Sequence, residues 1–146
     1  MDLDNELNID SDQTNDQPIN KKIMWVEDDL FLSDMIARKC AANKCNLMHA
    51  TNADSTFELL KKDTPDIIIL DILLPGKNGY EILEELKKNE VTKNIPVVIL
   101  SNFGQKEEIE KGLKLGADKY LIKATLTLDE ILTEVNQVLK KHIKQS

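Results

Sequence analysis

From residue 22 onward, short apolar runs alternate with longer stretches whose apolar residues recur every three or four positions. The runs 22–26, 46–50, 66–70, 95–100 and 118–122 read as strands, and 29–43, 53–62, 79–89, 105–115 and 128–143 read as helices. Leu32, Met35, Ile36 and Cys40 give the first helix its apolar side; Phe57, Leu59 and Leu60 give the second. Tyr80, Ile82, Leu83 and Leu86 carry the third, and Leu128, Ile131, Leu132, Val135, Val138 and Leu139 carry the last. Pro65 ends the second helix, Gly76 and Gly79 bracket a turn, and Pro96 opens a strand where its missing N–H is tolerable. Gly116 is placed to cap the fourth helix.

Two of the runs, 66–70 and 96–100, are almost wholly apolar, as strands are when helices cover both faces of a sheet. Five strand-then-helix units joined by right-handed crossovers predict an α/β fold, a doubly wound five-stranded parallel sheet with helices on both faces. Such sheets bind ligands beyond the carboxyl ends of their strands. At those ends stand Glu27 and Asp28, then Asp71, then Ser101, then Lys123. Three carboxylates, a hydroxyl and an ammonium form a set suited to Mg²⁺ and a phosphoryl group. An acid closing a buried strand costs energy to ionise unless a cation offsets it.

The 146 residues suffice for one domain with a real core. The net charge of −7 is concentrated at the start, where Asp2, Asp4, Glu6, Asp10, Asp12 and Asp16 stand without a Lys or Arg before residue 21. Residues 1–20 are accordingly expected to be an acidic, disordered tail, and 21–146 the folded domain. An acidic tail and the lack of a basic helix argue against direct nucleic-acid binding. No run reaches the length of a membrane span and the acidic, polar N-terminus does not read as a signal peptide, so no membrane insertion and a cytoplasmic location are expected. Only a few residues follow the last helix, so no output domain is expected after it. Cys40 and Cys45 lack the spacing of a zinc site, and neither His49 nor His142 completes one, so both read as free thiols.

With these residues placed, the segment 21–143 resembles the receiver domain of two-component response regulators. The resemblance rests on Val26-Glu27-Asp28-Asp29, on the loop from Asp71 through Leu74-Pro75-Gly76-Lys77-Asn78-Gly79, on Ser101 and Lys123, on Tyr120 three residues before that lysine, and on Gly116-Ala117-Asp118. It implies a flavodoxin-like strand order 2-1-3-4-5. It implies Asp71 as phosphoacceptor, taking a phosphoryl group from a sensor histidine kinase or histidine phosphotransfer protein. The same resemblance implies Mg²⁺ held by Asp28, Asp71 and the Leu73 backbone carbonyl, with Glu27 acting through water. Lys123 would pair with Asp71 and then with a phosphoryl oxygen, Ser101 would bond the phosphoryl group, and Tyr120 would be the switch. A downstream target would be met through the face built from 105–123 and the last helix. The domain would not be an enzyme beyond assisting its own phosphotransfer and dephosphorylation.

The chain departs from the family pattern in two places. Ala124 follows Lys123 where the family has Pro, so a trans peptide is expected there. Asn102 and Phe103 follow Ser101, and Phe103 and Leu73 would flank the phosphoryl group as apolar walls. An alternative use of the same fold is a docking module that works without phosphorylation, although all five site positions are filled. A flavin-binding protein would need a Gly/Ser/Thr-rich cradle after the first strand, where this chain has Glu-Asp-Asp. A haloacid-dehalogenase-like phosphatase would need an acid at Leu73.

Overall fold

The computed structural model describes residues 20–145, with side chains described through residue 142. The expected tail, residues 1–20, lies outside them except for Asn20. Five strands, β1 (Lys22–Val26), β2 (Asn46–Ala50), β3 (Ile67–Leu70), β4 (Val97–Ser101) and β5 (Lys119–Ile122), form one parallel sheet in the order β2-β1-β3-β4-β5. The helices α1 (Leu30–Ala42), α2 (Ala53–Lys62), α3 (Gly79–Lys88), α4 (Lys106–Lys114) and α5 (Leu128–Gln145) alternate with the strands. A short 3₁₀ turn, Lys123–Thr125, precedes α5 and has no counterpart in the sequence pattern.

The period-two geometry of a strand divides the apolar runs between two cores. Met24, Val26, Ile68, Leu70, Val97 and Ile99 pack in the layer that includes α3. Ile23, Trp25, Ile67, Ile69, Val98 and Leu100 pack with α1 and α5. Fully burying an isoleucine or valine is worth about 1.5–3 kcal/mol, so the central strands hold the sheet mainly through these contacts.

Helix starts follow side-chain capping. Asp29 accepts from the N–H groups of Phe31 and Leu32 at 3.0 and 3.2 Å. Asn52 with Ser55, and Asn78 with Glu81, form reciprocal capping boxes. The end of α1 is a Schellman turn: Lys44 takes φ 59°, its N–H donates to Ala41 O at 3.2 Å, and the Cys45 N–H donates to Cys40 O at 3.0 Å. That turn brings the two cysteines together, both reduced and buried.

Two helices differ from their sequence pattern. On α2 the fully buried residues are Ala53 and Thr56, while Phe57, Leu59 and Leu60 are only partly covered. This helix leans on the edge strand β2, where less sheet is available to cover it. On α1, Met35 stays 41% exposed, and the burial falls on Ser33, Ile36 and Cys40. All described peptide bonds, that of Lys123–Ala124 included, are trans. No described helix is long and apolar enough to cross a membrane.

Candidate functional site

Four strand ends converge on one cleft of about 330 Å³, lined by Glu27, Asp28, Asp71, Ser101 and Lys123, with Leu73 and Phe103 at its rim. The sheet order makes this possible. β1 and β3 are neighbours, so Glu27 and Asp71 leave adjacent strands; β4 and β5 follow, bringing Ser101 and Lys123 alongside.

Glu27 continues the ladder by one bond, its N–H donating to Ala50 O at 2.9 Å. Its side chain is buried, and Oε2 accepts from the Asp29 N–H at 3.2 Å. The Asp71 N–H donates to Val26 O at 3.1 Å, which fixes the carboxyl just past the end of β3. Gly79 then passes so close that a Cβ there would lie 2.2 Å from the Asp71 carbonyl oxygen, so only glycine lets α3 begin at this point. Asp28 is exposed. Carboxylate oxygens of Glu27, Asp28 and Asp71 all lie within 4.8 Å of one another.

Lys123 reaches into this acidic group and donates to both Glu27 Oε1 at 2.9 Å and Asp71 Oδ2 at 3.1 Å. It thus bridges two acids, where the sequence pointed to Asp71 alone. Burial pushes the Glu27 carboxyl above its ordinary pKa; the Lys123 bond opposes this and the Asp71 charge adds to it. For Lys123 burial works to lower the ammonium pKa, but the bonds and charges of Glu27 and Asp71 outweigh it and hold the pKa above the ordinary value.

Ser101 is buried at the end of β4, and its Oγ accepts from the Phe103 N–H at 3.0 Å. Tyr120 is half-buried, and its hydroxyl donates to Phe103 O at 2.8 Å. Its ring lies over α4, where a Cβ on Gly112 would approach it to 3.1 Å. Leu73 is 66% exposed beside the cleft. Tyr80 is a residue that spacing alone marked only as core. Its hydroxyl donates to Glu108 Oε1 at 2.7 Å, and Lys111 Nζ sits 4.5 Å from its ring centre, so it ties α3 to α4.

The response regulator receiver domain matches residues 23–136. The chain belongs to this family. Among related proteins, the phosphate regulon transcriptional regulatory protein PhoB of Escherichia coli is 31% identical over 121 residues, covering 83% of this chain and 52% of that protein. The probable transcriptional regulator ycf29 of Pyropia yezoensis is 34% identical over 122 residues, covering 84% and 54%. The chain therefore spans about half the length of these relatives. Among solved structures, the Francisella response regulator 1452 receiver domain superposes with a TM-score of 0.76 at 30% identity, covering 84% of this chain and 98% of that one. The Mn²⁺-bound form of response regulator Rcp1 superposes with a TM-score of 0.67 at 26% identity, covering 83% and 92%. The receiver fold of this chain, its parallel sheet and its strand order, is thus that of a signalling domain of two-component systems, a family whose acidic pocket binds Mg²⁺.

The receiver's acidic cluster suits such an ion. Hard divalent cations take oxygen ligands, and three carboxylates in mutual reach at the mouth of an open cleft supply them while leaving room for water and a phosphoryl oxygen. Cys40 and Cys45, the softer ligands, lie at the far end of α1.

Proposed function

We propose that this receiver accepts a phosphoryl group on Asp71. The observation that carries the reading is the position of that carboxylate: at the end of β3, on an open cleft, within 4.8 Å of two other acids and 3.1 Å from an ammonium. An Asp71 oxygen attacks the phosphorus of a phosphohistidine on a sensor histidine kinase or histidine phosphotransfer protein. A P–O bond forms, the P–N bond breaks, and the imidazole leaves and recovers a proton from solvent. Lys123 passes from its acids to a phosphoryl oxygen and stabilises the charge there. Asp28, Asp71 and the Leu73 carbonyl would hold Mg²⁺, with Glu27 reached through water. When bound, the ion neutralises the carboxylates and the incoming phosphoryl oxygens. The Mn²⁺-bound relative supports a divalent cation in this role.

Once formed, the aspartyl phosphate presents oxygens to Ser101. Ser101 donates its O–H to a phosphoryl oxygen, and because its Oγ also holds the Phe103 N–H, turning toward the phosphoryl group draws the 101–105 loop inward with it. Tyr120, bonded to the same Phe103, responds with it. The change is read on the surface of 105–123 and α5 by a downstream target, a charge event biasing a two-state element.

The test is incubation with acetyl phosphate and Mg²⁺, read by intact mass. A Mg²⁺-dependent gain of one phosphoryl group, absent from Asp71→Asn, is expected. No gain from folded protein at any Mg²⁺ concentration overturns the reading and leaves the fold as a docking module that works without phosphorylation.

A further inference from the structure

One histidine sits behind the acidic cluster and outside every role assigned so far. His49 is the fourth residue of β2, opposite Trp25 of β1 in the register. Its Nε2 lies 2.8 Å from the Glu27 carbonyl oxygen and 2.9 Å from Ser33 Oγ. A carbonyl can only accept, so Nε2 carries the hydrogen and donates it to Glu27, with the buried Ser33 hydroxyl oxygen sharing the same N–H.

This contact answers a need created by the end of the strand. The Glu27 N–H still finds a ladder partner in Ala50, but its carbonyl points past the last backbone donor of β2. A carbonyl at that depth needs a partner from elsewhere. His49 supplies it from the edge strand, and Ser33 ties the second turn of α1 to the same point. The peptide that joins Glu27 to Asp28 is therefore held from β2 and from α1 together. Its orientation decides where the Asp28 carboxylate stands relative to Asp71.

We propose that His49, seconded by Ser33, is a positioning residue for the metal-binding acids: its Nε2–H clamps the Glu27–Asp28 peptide and so presets the cation site. The inference rests on the reading of Asp71 and its neighbours as a Mg²⁺ and phosphoryl site. Partners that touch no ion but orient its ligands commonly change metal affinity by about 10- to 100-fold when removed. Glutamine can reach with an amide N–H to the place of Nε2, whereas leucine offers similar bulk without a donor.

The experiment is titration calorimetry of the full chain with Mg²⁺ alone, beside urea unfolding, for wild type, His49→Leu and His49→Gln. Mg²⁺ dissociation about tenfold weaker in His49→Leu, with most of the loss restored in His49→Gln, is expected. Should His49→Leu not fold, His49→Asn, whose shorter amide cannot span the gap, takes its place with the same expectation. Wild-type Mg²⁺ affinity in the leucine or asparagine variant overturns the clamp, as does an equal loss in His49→Gln, which would assign the effect to ring packing. A wild type that binds Mg²⁺ and gains a phosphoryl group beside such variants fails the clamp alone. A wild type that does neither overturns the site reading and the clamp with it.

Discussion

The hydroxyl of Tyr120 donates to the carbonyl of Phe103 across 2.8 Å, fastening β5 to the loop after β4. The amide of the same Phe103 is held by Ser101 at 3.0 Å, so one residue of the loop is secured at both of its polar backbone groups. Tyr120→Phe keeps the ring against Gly112 and removes only the upper tie. The expected result is a loss of about 1 kcal/mol in urea unfolding, with faster amide exchange confined to residues near 101–105. Unchanged exchange in that loop would show that the tyrosine bond does not restrain it.

Lys123→Met tests the charge balance of the site. Without the ammonium, Glu27 and Asp71 face each other with no cation between them, and the buried pair is broken from one side. A loss of about 3 kcal/mol is expected at pH 7.5. The pH dependence has a definite sign. Burial already holds the Glu27 pKa above its ordinary 4.5, and Lys123 is the main influence pulling it down, beside the Asp29 N–H. An acid with a raised folded pKa stabilises the fold fully below its unfolded pKa and loses that contribution as pH rises through the folded value. Removing Lys123 lifts the folded value further. The penalty should therefore shrink as the pH is lowered toward 5, and thermal melts of the two proteins across that range will show it. A penalty independent of pH would place the loss in packing instead of charge.

Leu73→Asn addresses how long a phosphoryl group would persist. Leu73 is 66% exposed and lines the cleft that holds Asp71; on the phosphoacceptor reading its apolar side chain would hinder an attacking water. An amide there can orient that water. Dephosphorylation roughly fivefold faster, about 1 kcal/mol in the barrier, is expected when the decay of phosphorylated protein is followed by mass. Slower decay in the variant would remove Leu73 as a shield.

Much of the fold was legible because β3 and β4 are buried on both faces and therefore read as unbroken apolar runs. Their edges were less so. Asp66 was read as strand, but its carboxylate takes the Lys22 N–H at 2.8 Å, and the regular ladder begins at Ile67. Pro96 lacks an N–H, although its carbonyl still accepts from Ile68, and the strand proper begins at Val97 and runs on to include Ser101. The residues meeting in the cleft were legible as chemistry, since acids, a hydroxyl and an amine at strand ends are unusual. Their pairing was not. Nothing in spacing says that Lys123 meets Glu27 as well as Asp71, or that His49 lies behind Glu27. Both contacts depend on the register of non-adjacent segments, and the strand order that sets it came from family likeness instead of periodicity.

Synthesis of the chain runs from its N-terminus, so Glu27, Asp28 and Asp71 all emerge before the lysine that neutralises two of them. Lys123 stands 96 positions after Glu27 and follows β5, which among the described residues pairs with β4 alone. A nascent sheet of four strands would gather the carboxylates with no counter-ion, and their repulsion opposes early closure of that edge. Docking of the final strand supplies the missing cation. The same ammonium thus links closure of this sheet edge to the readiness of the cleft, and a ribosome-bound chain ending before residue 119 should hold its first four strands less firmly than the full 146-residue chain does.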